Sequence, residues 1–232
     1  MAKHTYFISG TDTDAGKTIV AAGLLAAANA RGMSSMGLKP ISAGCDATED
    51  GLRNGDALLL QETASLKLPY EQVNPVAFEP PIAPHIAAID EKRMLSADRI
   101  AALCKGALMQ PADFALVEGA GGWRVPLSHR ETMANIPKLL NIPVIMVVGM
   151  KLGCINHALL TAESIARDGL RLAGWVANRI DPEMSRYEEN RATIEAMLRA
   201  PLIAEIPHLE EPLPENVAEY IDLDKLFEQG AG

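Results

Sequence analysis

The run Gly10-Thr-Asp-Thr-Asp-Ala-Gly16-Lys17-Thr18 constrains this chain more than any other stretch. It follows a short apolar segment, residues 5–9, and opens an Ala/Leu-rich one, residues 19–30, that Gly32 ends. A glycine-rich turn between a buried strand and a helix is what a bound triphosphate requires. Glycines let the backbone approach phosphate oxygens, while successive amides and the helix N-terminus point at them. Lys17 neutralises phosphate charge and the Thr18 hydroxyl is a Mg²⁺ ligand by type and position. The spacing is not the standard one: Thr11 stands where the usual pattern has its first glycine.

The rest of the chain alternates between strand and helix periodicity. Residues 35–39 read as a second strand stopped by Pro40, and residues 56–64 and 96–109 as helices. Residues 114–117 read as a strand ending in Glu118 and the cluster Gly119, Gly121 and Gly122. Residues 143–148 form a nearly continuous β-branched run of the kind buried on both faces. A helix over 156–167, a strand over 172–177, a helix over 187–199 and a strand over 202–206 complete the pattern. This predicts an α/β fold, a mostly parallel sheet with helices on both faces, of the P-loop NTPase type. With no repeat or low-complexity linker, residues 1–232 are expected to form one domain. Residues 41–54 and 75–84 are long Gly/Pro-rich loops of the kind that carry sites, and the tail after Pro207 is acidic and Pro-punctuated.

Composition narrows the partners. With 21 Lys+Arg against 30 Asp+Glu, the net charge is −9, and aromatics make up only 4%. An acidic chain with neither a basic run nor a stacking platform points away from nucleic acid. The longest apolar run, residues 142–150, is far below the roughly 18 residues of a spanning helix. The N-terminus has no apolar core before a small-residue cleavage site, and Cys45, Cys104 and Cys154 are too scattered for a disulfide framework. Cys154 and His157, three apart, lack a second ligand pair and read as ordinary positions rather than a zinc corner. The expectation is a soluble, reduced, cytoplasmic protein with no membrane partner.

A phosphate loop needs an acid to position the metal. Glu118, at the C-terminal end of an apolar strand, is the first candidate, because ligands of open α/β sheets lie beyond those ends. Asp113, at the other end, reads as a solvated turn residue. Asp56 follows Gly51-Leu-Arg-Asn-Gly into a helix and reads, on its own, as an N-cap.

Six motifs occur in order: Gly10 to Thr18, Gly37-Leu-Lys-Pro40, Gly51-Leu-Arg-Asn-Gly-Asp56, Val117-Glu-Gly-Ala-Gly-Gly-Trp123, Val148-Gly-Met-Lys-Leu-Gly-Cys-Ile-Asn-His157 and Gly174-Trp-Val-Ala-Asn178. Together they resemble the ATP-dependent dethiobiotin synthetase family over nearly the whole chain. The resemblance implies capture of CO₂ by an amine of 7,8-diaminononanoate, activation of the carbamate by ATP, and ring closure. It assigns Lys17 to the β/γ-phosphates, Lys39 to the carbamate and the transferring phosphoryl group, and Thr18, Asp56 and Glu118 to Mg²⁺. Thr13, with Asp14, lines the extended loop beside the second substrate, and Ala15, Gly16, Ile19, Gly119, Ala120 and Gly121 complete the nucleotide cradle. Asn178 and Arg179 would meet the adenine edge, flanked by Pro207, His208 and Leu209 with Glu215 nearby; His208 also reads as an exposed loop imidazole. Gly153, Cys154, Ile155 and Asn156 would receive the substrate carboxylate in a pocket completed across a homodimer.

The chain departs from the family pattern in three places. Ala43 stands where a substrate-contacting Ser is common, with the hydroxyl one place earlier on Ser42; Asp14 replaces a frequent Glu; and Asn190 replaces a Tyr, with Tyr187 one turn earlier. Two rival readings fit less well. Glutamine-dependent amide synthetases need a glutaminase domain, for which 232 residues leave no room. Partition-type switch ATPases carry a lysine early in the loop, where this chain has Thr11-Asp12-Thr13.

Overall fold

Strand centrality follows burial. In the computed structural model, which describes residues 4–228, Val144–Gly149 is buried at every position and lies inside the sheet. Residues 1–3 and 229–232, the ends of the expected 1–232 domain, lie outside the described residues. The strands are β1 (His4–Gly10), β2 (Ser35–Leu38), β3 (Phe114–Gly122), β4 (Val144–Gly149), β5 (Leu172–Asn178) and β6 (Leu202–Ile206). They form a sheet of order β6-β5-β4-β1-β3-β2, parallel at every pairing.

The period of two sends alternate side chains to opposite faces. Tyr6, Ile8, Phe114, Leu116, Ile145 and Val147 pack on α1 (Lys17–Ala30). Phe7, Ala115, Val117 and Val144 join a core with the helix Ala97–Ala107, and Met146, Val148 and Trp175 pack with α3 (Cys154–Arg167) and α4 (Tyr187–Met197). Helices therefore cover both faces. A remaining helix, α2 (Gly55–Thr63), runs alongside α1 and β2. The fold is the α/β P-loop type that the alternating pattern implies. Among the described residues no helix is long and apolar enough to cross a membrane.

Several boundaries differ from the sequence reading. Strand β3 does not stop at Val117 but runs to Gly122, because β1 pairs with it as far as Gly10 opposite Gly122. Glu118 is thus inside the strand rather than at its C-terminal end. Helix α3 starts at Cys154, two residues early, on a left-handed Gly153. The two long loops are not structureless: Ile41–Ser42 pairs in parallel with Val76–Ala77, and Asp46–Thr48 forms a hairpin with Gly51–Arg53. Asp113 is not a solvated turn residue, since its carboxylate accepts hydrogen bonds from the amide and hydroxyl of Ser34 at 3.0 and 2.8 Å. The acidic tail folds into the helices Pro214–Ala218 and Leu223–Glu228, whose Val217, Leu223 and Leu226 are fully buried in the α1 core. At about 1.5–3 kcal/mol per fully buried aliphatic side chain, these three anchor the tail.

Candidate active site

The phosphate loop joins β1 to α1. Its last glycine, Gly16, has φ 86° and caps α1 without a side chain, so the opening amides of the helix face outward for an anion. Asp14 also holds a positive φ, 60°. Three contacts brace the loop. Asn178 Nδ2 donates to the Ala15 carbonyl at 2.9 Å, Lys151 pairs with the Asp12 carboxylate at 2.6 Å, and Lys17 Nζ donates to the Asp12 carbonyl at 3.4 Å.

Charge converges just past the end of β2, beside the middle of β3. Lys39 Nζ lies 2.5 Å from Glu118 Oε1 and 2.9 Å from Asp56 Oδ2, and Thr18 Oγ1 donates to the same Glu118 oxygen at 2.8 Å. Burial pushes the Lys39 ammonium down, but Glu118 and Asp56 outweigh it and hold the group above its ordinary range. Burial and then the neighbouring Lys39 push Lys17 below its own, against the pull of Glu118, Asp56 and Asp12. Burial raises Asp56, and Lys39 more than reverses this, leaving the carboxyl low. Asp56 is not the N-cap of α2: Asn54 is, accepting from the Ala57 amide at 3.2 Å.

The donor set fits a Mg²⁺ ion. Glu118 is wholly buried, and its second oxygen, Oε2, has no hydrogen-bond partner. A buried carboxylate oxygen without a donor, beside a threonine hydroxyl and an aspartate, is hard-oxygen chemistry suited to that cation.

These groups line a cleft of about 810 Å³ that brings together most of the sequence-predicted residues: Thr13, Asp14, Gly16, Lys17, Thr18, Ile19, Lys39, Ser42, Ala43, Asp56, Glu118, Ala120 and Gly121. Ala15 is buried within the loop, and a Cβ on Gly119 would come within 2.8 Å of the Phe7 ring. Pro81, Ile82, Ala83, Pro84 and Val125 also line the cleft. Sequence reasoning missed them individually, and only the Pro-rich character of residues 75–84 marked that loop.

The other expected residues lie outside this lining. Asn178 stands against Gly16, with one amide hydrogen already used on Ala15. The Arg179 amide donates to Ile206 at 2.9 Å, which joins the ends of β5 and β6, and its guanidinium lies over the Tyr187 ring. His208 and Glu215 are exposed, whereas Pro207 and Leu209 are half-buried. Gly153 and Asn156 are exposed at the start of α3, Ile155 is half-buried, and Cys154 is buried in the α3 core. Ser42 is itself buried, its hydroxyl donating to Asn74 Oδ1 at 2.8 Å and 3.1 Å from Cys45 Sγ. Tyr187 is buried with Trp175 in the α3–α4 core, its hydroxyl pushed well above its ordinary range by burial and by Glu205. Asn190 donates to the Arg186 carbonyl at 2.8 Å.

Comparison with known proteins agrees with this geometry. A family model described as an AAA domain matches residues 4–216. The chain is 58% identical over 228 residues to the ATP-dependent dethiobiotin synthetase BioD of Cellvibrio japonicus, covering 98% of this chain and all of that protein. It is 55% identical to the protein of the same name from Pseudomonas aeruginosa, over 95% of this chain and 97% of that one. Among solved structures, a ParA family ATPase from Chlorobium tepidum aligns with TM-score 0.57 at 12% identity, over 100% of this chain and 95% of that one. The Aquifex aeolicus MinC:MinD complex aligns with TM-score 0.60 at 16% identity, over 99% and 96%. These two likenesses show the fold. Identity of this order over nearly the full length of both chains gives one statement: the chain belongs to the ATP-dependent dethiobiotin synthetase family.

Proposed function

We propose that this chain closes the ureido ring of dethiobiotin from 7,8-diaminononanoate, CO₂ and ATP in the cleft above β1, β2 and β3. The observation that carries the reading is Lys39, buried between Glu118 and Asp56 and next to the phosphate loop. One amine of the substrate adds to CO₂, losing a proton, to form a carbamate. A carbamate oxygen attacks the γ-phosphorus and ADP leaves, giving a carbamic-phosphoric anhydride. The second amine then attacks the carbonyl carbon, expels phosphate and loses its proton, which closes the ring.

Every transient species is anionic, so positioning and charge neutralisation are the means of catalysis. Lys17 holds the β/γ-phosphates over the α1 amides. Lys39 faces the carbamate and the transferring phosphoryl group, and Thr13 lies beside them. Thr18, Asp56 and Glu118 would hold Mg²⁺, which when bound neutralises phosphate charge. The backbone at Gly119, Ala120 and Gly121 borders the phosphates, with Asp14, Ala15, Gly16 and Ile19 opposite. Asn178 and Arg179 mark the side on which the base sits, with Pro207, His208, Leu209 and Glu215 beyond them.

The apolar wall of Pro81, Ile82, Ala83 and Val125 suits the methylene chain of the diamine. Ala43 offers no hydroxyl there and Ser42 already donates to Asn74, so the substrate is held by charge and shape on this side. Gly153 and Asn156 open α3 on an exposed surface flanked by the strongly exposed Leu152, with Ile155 half-buried and Cys154, buried, offering its backbone. That surface suits a second copy of the chain, whose active site this α3 N-terminus would complete with a carboxylate contact.

The test is mass detection of dethiobiotin from diaminononanoate, bicarbonate, ATP and Mg²⁺. Phosphate release is expected only when the diamine and bicarbonate are both present. ATP turnover without diamine would refute the reading.

A further inference from the structure

Strand β2 is the edge of the sheet, and Lys39 lies just past its end. An edge residue that leaves the ladder has no strand to satisfy its backbone, yet Lys39 must present its ammonium accurately. The backbone groups of Lys39 are instead taken by residues 73 and 74. The Lys39 amide donates to the Val73 carbonyl at 2.9 Å, and Asn74 Nδ2 donates to the Lys39 carbonyl at 2.5 Å. Pro40 adds a third restraint, because a residue before proline is held in the extended region.

The same Asn74 side chain reaches further. Its Oδ1 accepts from Ser42 Oγ at 2.8 Å and from the Tyr70 hydroxyl at 3.1 Å. The Tyr70 oxygen accepts in turn from the Asn54 backbone N–H at 2.7 Å, and Asn54 caps the helix that carries Asp56 two residues later. Asn74 is buried at 4% exposure, so each of these bonds forms out of water.

We infer that Asn74 is a positioning residue for the reaction: one buried amide sets the backbone of Lys39 and, through Tyr70 and Asn54, the start of the helix bearing Asp56. This rests on the roles of Lys39 and Asp56 given under the proposed function. Asn74 touches neither substrate, and it acts by fixing two groups that reach the cleft from different segments. Phosphate-loop residues are held by other contacts, so ATP binding is not its task.

The test compares Asn74→Asp and Tyr70→Phe with the parent chain. Asn74→Asp keeps shape but puts a second acceptor against the Lys39 carbonyl, and Tyr70→Phe removes only the bridging hydroxyl. Misplacement on the ångström scale predicts that kcat for Asn74→Asp falls about 10- to 100-fold while KM for MgATP stays within about threefold. Tyr70→Phe should raise the Mg²⁺ concentration needed for half-maximal rate with a smaller fall in kcat. Independently of turnover, the ¹⁵Nζ resonance of Lys39 should move in Asn74→Asp. An unmoved resonance, or kcat and MgATP affinity falling together with the folded fraction, would overturn the inference. If Asn74→Asp does not fold, Tyr70→Phe alone decides, an unchanged Mg²⁺ requirement counting against it. If the parent chain makes no dethiobiotin, the functional reading fails, while the resonance still decides what Asn74 does.

Discussion

Lys39 and Glu118 meet at 2.5 Å because of sheet register: β2 and β3 run parallel with Leu38 opposite Val117, so the next residue of each strand is the lysine or the glutamate. Seventy-nine positions apart in sequence, they are neighbours across two strands, and both are buried. Asp56 joins them from α2, with a carboxylate that is 45% exposed. The cluster therefore has one face in protein and one in the cleft, where an anionic reactant can compete for the ammonium.

Removing one partner of this pair should cost more than removing both. Lys39→Met leaves Glu118 buried beside only a hydroxyl donor, and breaking such a pair costs about 3–5 kcal/mol. The double variant Lys39→Met/Glu118→Gln should recover most of that stability while remaining inactive. Urea denaturation of the two single variants and the double one, read as a double-mutant cycle, measures the coupling. Additive single effects would mean the pair is not coupled in the folded chain.

Gly16 should not tolerate a side chain. Its φ of 86° costs an alanine about 1–2 kcal/mol, and the new Cβ would collide with the Asn178 amide. Gly16→Ala should lower the melting temperature and weaken ATP binding in a calorimetric titration. Adding Asn178→Ala should relieve the collision but not the backbone strain, so the melting temperature recovers only in part.

Asp168 gives the fold an acid-sensitive clamp. Its carboxylate accepts from Trp123 Nε1 at 2.8 Å and pairs with Arg124 at 2.8 Å and Lys138 at 3.3 Å. Burial raises this carboxyl, but Trp123, Lys138 and Arg124 outweigh burial and hold it below its ordinary value. A depressed carboxyl contributes stability above its unfolded pKa of about 4, and the contribution is lost as pH falls through the lower folded value. Asp168→Asn should therefore be less stable than the parent at neutral pH and converge with it in acid. Urea midpoints measured from about pH 3 to about pH 7 follow the two curves. A constant offset across that range would remove Asp168 from the acid response.

Much of the site was legible because its chemistry is local. The strand–loop–helix unit around Gly16-Lys17-Thr18 depends on contiguous residues, and glycine placement alone marks the turn. The parallel α/β class followed from alternating periods, and β6 matched its expected limits of 202–206. Less visible was anything decided by packing between distant segments. The pairing of Ile41–Ser42 with Val76–Ala77 joins two stretches that each read as plain loop. The folded tail depended on Val217, Leu223 and Leu226 finding α1, which no short window of an acidic, Pro-punctuated sequence reveals.

Asn54, Asn74 and Tyr70 make the division plain. Asn54 and Asn74 are ordinary loop or turn residues by type, Tyr70 carries no sequence signal of its own, and Asp56, leading into a helix, reads on its own as the N-cap. Only the fold puts Asn54 at the cap and aims its neighbour Asp56 at Lys39. The sequence by itself determined the phosphate loop, the order of strands and helices along the chain, and the family. The tertiary structure alone decided which acids share the lysine and what holds that lysine in place. Backbone conformation and periodicity are set by neighbours in the chain, whereas hydrogen-bond partners and buried charge pairs are set by neighbours in space.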